Sequence, residues 1–336
     1  MSIGVSVIIP SFNEEKFIGK CIESIVRTDY SKELLEIIIV DGLSTDKTRD
    51  IINKYSQSCS YISLLDNPKH ITPVALNLGI RNSRYNYVLV ASAHSVFPKR
   101  YITELMNNLI SLNADVVGGQ LITRVLNKNM KSESIAKVLS SRMGVGNSVF
   151  RIGTDIPKLV DTVPFGLYKK ELFYKVGFYN ERLVRNHDIE LSKRLLRSNC
   201  KIFLIPSASC VYYARDTYRS LAKNNFENGL WNILTFYITK KADSLSKRHY
   251  VPLLFLLSLI LPIVPSIILH GFFIFLTLLS LVLYMIMIII SSLKKLDNSS
   301  KFINIFWGFI VLHFSYGAGS MIGLFKVKRL FMHASQ

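Results

Sequence analysis

Between Val251 and Ile290 the chain carries no Asp, Glu, Lys or Arg, and this uncharged stretch limits the fold more than any other feature. Two apolar runs fill it, PLLFLLSLILPIVPSIIL (252–269) and FFIFLTLLSLVLYMIMIII (272–290), with His270-Gly271 supplying a turn. Each approaches the ~20 residues that a helix needs to cross a hydrocarbon core of roughly 30 Å. A bilayer offers the backbone no water, so a spanning segment must pair its own N–H and C=O groups, as a helix does. A buried helix pair in a soluble protein is the competing reading, which so long an uncharged stretch disfavours. A polar loop, SSLKKLDNSSK (291–301), precedes a third apolar segment, INIFWGFIVLHFSYGAGSMIGLF (303–325). Lys294, Lys295 and Lys301 place that loop on the cytosolic side, which predicts a hairpin over 251–290 with both ends in the cytosol. The third segment is expected to span or to re-enter. Spanning would put Lys326, Lys328 and Arg329 of the basic tail (326–336) outside, against the same tendency, and Gly317, Gly319 and Gly323 permit a broken path.

The formal net charge is +18, and most charged residues precede residue 251. A basic part joined to an apolar tail fits attraction to anionic lipid headgroups. No zinc-finger spacing, RNP-like aromatic motif or Arg-rich helix is present, so nucleic acid is not an expected partner. Cys21, Cys59, Cys200 and Cys210 form no C-x-x-C pair, which argues against a disulfide framework or zinc site and for a reducing compartment. The opening MSIGVSVIIPSFNEE turns polar too soon for a signal peptide's hydrophobic core and reads as a first strand, with the soluble part expected in the cytosol.

The first hundred residues alternate. Strand-like runs VSVIIP (5–10), EIIIVD (36–41), YISLLD (61–66) and YVLVAS (87–92) are separated by helix-like segments over Glu14–Val26, Asp46–Tyr55 and Pro73–Asn82. Continuous Val/Ile/Leu strands joined by helices predict an α/β fold with a mostly parallel sheet covered on both faces. Ligands of such open sheets collect at the carboxyl ends of the strands. Polar clusters stand there: Ser11-Phe12-Asn13-Glu14, Asp41-Gly42 and Ser92-Ala93-His94. The last is unusual, since a buried strand stops on a hydroxyl and an imidazole. Later elements read as a strand at VVGGQ (116–120), a Gly-punctuated loop over 140–153, a helix after VDTVPFGLYKKELF, an amphipathic helix at NHDIELSKRLLRSN (186–199) and a strand at KIFLIP (201–206).

Taken in order, these clusters resemble inverting family 2 glycosyltransferases of the GT-A fold. VSVIIPSFNEEKFIGKCIESI resembles the family's opening strand, P-x-Y/F-N-E turn and helix; IIIVDGLSTDKT resembles its V-D-D-G-S-T-D-x-T segment; PVALNLGI resembles its A-x-N-x-G helix. ADVVGG, GVGNSVFRIG, VDTVPFG, RNHDIELSKRL and RDTYRSLAKNNFENGLW are similar to the membrane-attached, succinoglycan-type enzymes of exopolysaccharide assembly, which often carry D-A-H in place of D-x-D. The resemblance implies a GT-A catalytic domain over 1–231, an interfacial segment over 232–250, and then the transmembrane hairpin, the cytosolic loop (291–302), segment 303–325 and the tail.

The resemblance also implies roles. Pro10, Phe12, Asn13, Glu14, Asp41, Asn77 and Ala93 would surround the donor nucleotide, with Asp41 accepting a ring N–H of the base and Asn13 and Glu14 supporting base and ribose. Asp46 and Thr48 read instead as a helix cap. His94 and, more weakly, Ser92 occupy the positions where D-x-D holds Mn²⁺ or Mg²⁺ against the diphosphate, and an imidazole suits Mn²⁺ better. Asp188 occupies the place of the general base that deprotonates the acceptor, with His187 where Glu is usual. Phe165, Gly166, His187, Arg215 and Trp231 would line the acceptor or diphosphate side. FENGLW lacks the Q-x-x-R-W of processive synthases, which favours a single transfer. The implied activity moves a sugar from a nucleotide donor, a UDP-sugar, to a lipid-linked acceptor at the cytosolic face of the cell membrane. The alternative is a catalytically weakened binding or scaffold protein of a glycan assembly complex, a reading motivated by Ser92.

Overall fold

The computed structural model of the chain describes residues 3–268, 271 and 273–334. Leu269, His270 and Phe272 at the expected hairpin turn, and Ser335 and Gln336 of the tail, lie outside the described residues. The chain forms two compact units, Met1–Ile122 with Gly153–Tyr213, and Thr123–Ile152 with Ala214–Gln336.

The first unit opens with the expected alternation: β1 (Val5–Ser11), α1 (Ile18–Val26), β2 (Leu35–Asp41), α2 (Thr48–Ser58), β3 (Ile62–Asp66), α3 (Thr72–Asn82) and β4 (Tyr87–Val90). β5 (Ser95–Val96), α4 (Tyr101–Ser111) and β6 (Val116–Arg124) follow. The chain then leaves for the second unit, forming α5 (Met130–Leu139), α6 (Arg142–Val145) and α7 (Val149–Ile152). It returns as β7 (Lys158–Leu159), β8 (Leu167–Lys169), α8 (Glu171–Val176), α9 (His187–Arg197) and β9 (Ile202–Tyr213).

The strands order as β3-β2-β1-β4-β8-β6-β9-β5, with β7 on β9. β1 is parallel to β2 and β4, and β2 to β3, whereas β8 runs antiparallel to β4 and β6. Val5, Val7, Ile8, Ile9, Ile37, Ile39 and Val40 are wholly buried, as continuous apolar strands covered on both faces must be. Register brings Ser11 opposite Asp41 and Asp41 opposite Asp66, so three polar residues end three strands side by side.

Two boundaries shift for local reasons. The helix expected from Glu14 starts only at Ile18: Phe17 N and Ile18 N both donate to Glu14 O at 2.9 Å in a turn, and Phe17 leaves helical backbone at φ −122°. β4 stops at Val90, although the Ala91 N–H still reaches Ile8 O at 2.9 Å. Beyond it Ser92 turns the chain: its hydroxyl accepts from His94 N and its carbonyl from Ser95 N, a serine turn.

The second unit is helical. α10 (Tyr218–Thr239) is one helix through the boundary expected at Trp231, because Asn225–Thr235 carry an unbroken buried face. It is followed by α11 (Val251–Ile260), α12 (Ile263–Ile268), α13 (Ile274–Lys294) and α14 (Phe302–Ala334). The apolar run over 252–269 forms α11 and α12 with a turn at Leu261-Pro262, where proline removes a backbone donor and crowds the preceding turn, while Leu261 keeps helical backbone. The loop expected over 140–153 instead contains two single-turn helices, the first capped by the Ser141 hydroxyl accepting from Gly144 N. Ile135, Val138, Leu221, Tyr284, Ile288, Ile305, Phe309 and Leu312 form its core.

α10 and α14 run alongside each other at very short range. The Tyr218 hydroxyl donates to Asn304 O at 2.8 Å, and Ser320 Oγ donates to Gly229 O at 3.1 Å. A Cβ on Gly319 would stand 1.9 Å from Phe226 O, so only glycine allows the two backbones to meet there. The third apolar segment is thus an uninterrupted helix, its glycines serving close packing rather than a break. Among the described residues three helical stretches, Lys247–Ile268, Ile274–Lys294 and Phe302–Val327, are long and apolar enough to cross a membrane.

Candidate functional site

The carboxyl edge of β1, β2 and β3 is organised around Asp41, which is fully buried. Its Oδ1 accepts from Ser11 Oγ at 2.9 Å and Ser44 Oγ at 2.6 Å, and its Oδ2 from Ser44 N at 2.8 Å and Arg49 Nη1 at 3.2 Å. Four donors match the about four lone-pair positions of a carboxylate, so the charge is fully used within the protein. Arg49 continues to Asp66 at 2.8 Å, joining the ends of β2 and β3. Sequence reasoning missed Asp66, Arg49 and Ser44, although YISLLD ends on Asp as EIIIVD does.

Asn13 and Leu43 both hold left-handed backbone, φ 53° and 55°, a conformation that tends to gather at functional sites. The Asn13 N–H donates to Ser44 Oγ at 2.8 Å, and its side-chain oxygen accepts from Thr45 N at 2.9 Å. Asp46 accepts from Thr48 N and Glu15 N, but it stands one residue before Lys47, the N-cap of α2, and so tethers the loop after β1 without being the cap itself. These bonds clamp the loop after β1 to the loop after β2. Above the clamp, Phe12 is 47% exposed and meets the His70 ring edge-on at 5.6 Å. Pro10 pairs with Val40 inside the sheet.

The turn after β4 reaches the same edge. His94 Nε2 lies 2.8 Å from Glu14 Oε1, so Glu14, expected toward base and ribose, is directed at the imidazole. The ring is further bracketed by Phe17, with centroids 4.5 Å apart, and the His94 carbonyl accepts from Tyr213 N at 3.1 Å. Ala93 is buried, and the Cys21 thiol donates to Ser92 O at 3.3 Å. Among the described residues no three His, Cys, Asp or Glu side chains gather to hold a metal. The converging imidazole nitrogen and carboxylate oxygen form a two-donor set that suits Mn²⁺. The two atoms contact each other, so a cation held there would replace that contact and take only part of its ligand shell from the protein.

Asp188 is exposed in the first turn of α9, which Asn186 enters in left-handed backbone with φ 62°. Arg194 braces this helix from below: it pairs with Glu190 at 2.9 Å and donates to the carbonyls of Val176, Gly177 and Phe178. The loop before α9 is held by Asn77, which was expected beside the nucleotide. Asn77 is buried; its amide donates to Tyr179 O and Glu181 Oε1 and accepts from Tyr179 N, so its hydrogen-bonding capacity is committed to the loop. The Asn77 amide, aided by Lys69, holds the Glu181 carboxyl below its usual range. Lys69 follows β3, so this loop is tied to the carboxyl edge. His187 packs edge-on against Tyr179 at 5.7 Å; burial pushes its pKa down, and its Nδ1 lacks a hydrogen-bond partner.

Phe165 and Gly166 precede β8 beside the end of β4, with Gly166 O accepting from Val90 N at 3.0 Å. Phe165 holds φ 45°, and its ring meets Phe97 and Tyr212. Every expected site residue except two lies within the first unit. Arg215 and Trp231 belong to the second unit, before and within α10.

A parallel β3-β2-β1-β4 half-sheet continued by antiparallel strands, with polar residues on its carboxyl edge, defines a GT-A glycosyltransferase domain. Residues 6–177, just over half of the chain, match the pattern of Glycosyl transferase family 2, and the chain belongs to that family. It is 29% identical over 233 residues to the dolichyl N-acetyl-alpha-D-glucosaminyl phosphate 3-beta-D-2,3-diacetamido-2,3-dideoxy-beta-D-glucuronosyltransferase of Methanococcus voltae, covering 67% of this chain and 71% of that one. It is 29% identical over 211 residues to succinoglycan biosynthesis protein ExoA of Rhizobium meliloti, covering 62% of this chain and 63% of that one. In fold it is similar to a mannosyltransferase of Pyrobaculum calidifontis solved with GDP-Man and Mn²⁺, with TM-score 0.61 and 14% identity, covering 96% of this chain and 87% of that one.

Proposed function

We propose that the chain is an inverting glycosyltransferase that moves a sugar from a nucleotide-sugar donor, a UDP-sugar, to a polyprenyl-phosphate- or diphosphate-linked acceptor in exopolysaccharide or envelope-glycan biosynthesis. The hairpin of α11 to α13 crosses the cell membrane and keeps the catalytic domain at the cytosolic face. Support for a lipid-linked acceptor comes from the name of the archaeal relative and from the three apolar helices. The observation that carries the reading is the alignment of Ser11, Asp41 and Asp66 on one sheet edge, with the Glu14–His94 pair closing it.

In this reading Asp41 shapes the base site from beneath by fixing the loops after β1 and β2, while Phe12 offers an exposed face to the base. His94 and Glu14 would hold the divalent cation, which neutralises diphosphate charge when bound. Asp188 takes the proton from the acceptor hydroxyl. That oxygen forms a bond to the anomeric carbon as the bond from that carbon to the diphosphate oxygen breaks, and the nucleoside diphosphate leaves with the electron pair. The braced α9 and the Asn77 clamp keep the carboxylate placed for this transfer.

The competing reading, a glycosyltransferase-like binding protein, draws on Ser92, whose hydroxyl supports a turn and brings no charge to the diphosphate. The full chain in nanodiscs, given a panel of nucleotide sugars and lipid-linked acceptors with Mn²⁺, Mg²⁺ or chelator, separates the two. Acceptor-dependent release of nucleoside diphosphate, lowered by chelator and giving an inverted anomeric product by NMR, is expected. Donor binding without release from any pair would leave the binding reading.

A further inference from the structure

We infer that α14 does not cross the bilayer: with α10 it lies in the interfacial zone on the side where both ends of the hairpin emerge, and the C-terminus stays on that side. The inference rests on the hairpin placement in the reading above, not on its chemistry.

Three successive contacts fix the alignment of the two helices. Tyr218 meets Asn304, Gly229 meets Ser320, and Leu234 shares a cluster with Val327. Sequence number rises together along both, so they are parallel over the 22 residues of α10, about 33 Å at 1.5 Å per residue. Lys223 and Glu227 of α10 therefore stand abreast of the middle of the candidate span Phe302–Val327. If α14 crossed the membrane, these two charges would lie near the bilayer centre, where ionisable side chains are costly. Lys223 is exposed.

α5 leads to the same conclusion at the start of α14. Its Ile135 and Val138 pack with Ile305, Phe309 and Leu312, yet the same short helix carries an exposed Lys131 together with Glu133 and Lys137. Lys137 pairs with Asp297 and donates to Ser300 Oγ at 2.8 Å just before α14 begins. A helix of this composition belongs in water or among headgroups.

The three apolar stretches also differ in burial. Within the protein 44% of the Phe302–Val327 window is buried, against 17% and 11% for the other two. No residue from Gly308 to Met321 is exposed, whereas Ile303, Trp307, Ile322, Leu324 and Phe325 are. α14 is thus enclosed by protein over its middle, and its open apolar side chains stand near the two ends of the candidate span, beside Lys301 and Lys326. Exposed apolar side chains beside a lysine at each end suit a helix lying along a membrane surface, with those side chains in the acyl boundary and the lysines on anionic headgroups. Lysines stand at the entry to the hairpin (Lys240, Lys241, Lys247), at its exit (Lys294, Lys295) and at both ends of the candidate span Phe302–Val327 (Lys301, Lys326). By the positive-inside tendency all four places share one side.

The test uses the full chain in sealed membrane vesicles, with a protease-cleavable tag placed at Gly271, at Asn298 or at the C-terminus. In one preparation the C-terminal and Asn298 tags are expected to be lost together, while the Gly271 tag has the opposite accessibility until detergent is added. A C-terminal tag that shares the behaviour of the Gly271 tag instead would overturn the inference. If the Gly271 and Asn298 tags were lost together, the hairpin itself would fail and take the inference with it, while the transfer chemistry would stand untouched.

Discussion

Replacing Asp41 distinguishes a carboxylate that organises the donor edge from one that binds the base directly. Asp41→Ala strips the partner from the buried Ser11 and Ser44 hydroxyls and the Ser44 N–H, and takes one of two carboxylates from the partly exposed Arg49. Leaving such donors unmatched costs about 3–5 kcal/mol. Asp41→Asn keeps the shape. Its amide oxygen can take Ser44 N and Arg49, and its NH₂ can face the two hydroxyls, which rotate to accept. What is lost is the charge opposite Arg49, a partly exposed group that retains Asp66, so the cost falls to ~1–2 kcal/mol. At about 2–4 °C per kcal/mol, Asn lowers Tm by roughly 2–8 °C and Ala by roughly 6–20 °C. Differential scanning calorimetry and titration of nucleoside diphosphate into the same preparations read both effects. The expected result is graded loss of stability, with nucleotide affinity changing only a few-fold in Asn and collapsing in Ala. An Asn variant of unchanged Tm that no longer binds nucleotide would refute the reasoning, because the charge would then have been meeting the ligand.

Asn77→Ala leaves the N–H and C=O of Tyr179 without their partner and removes a donor from Glu181, a loss of ~2–4 kcal/mol. Transfer is expected to slow as the loop before α9 loosens, which unfolding and turnover measured on one preparation would reveal. His187, next to Asp188, Arg185 and Tyr179, has a folded-state pKa pushed down by burial. The folded state therefore holds fewer protons, and stability present above the unfolded value of about 6.5 is lost as pH falls through it. His187→Phe should flatten that decline between about pH 7.5 and about pH 5.5. An identical decline in both proteins would remove His187 as its source.

The four parallel strands were legible because each is a mainly apolar run with a polar residue at or just beyond its end, and those residues located the carboxyl edge. Less legible were pairings made only by the fold. Glu14 and His94 are far apart in the chain, and no local pattern couples them; the same holds for Asn77 and Tyr179. Asp66 carried a signal that was passed over, since it ends its strand as Asp41 does. The two-residue strands β5 and β7 have no periodicity to read. α10 was obscured by its polar first half, which reads as a motif, while its helical continuity comes from glycine-mediated packing on α14. Ser141, a local cap three residues before Gly144, could have signalled helix within the glycine-punctuated loop.

The direct test of the account is Asp188→Asn, assayed side by side for sugar transfer and for nucleoside diphosphate binding. The account predicts a transfer rate lower by ~10²–10⁴-fold with nucleotide affinity and Tm unchanged, since this carboxylate stands exposed at the start of α9. Transfer near the wild-type rate would contradict it and remove Asp188 as the base.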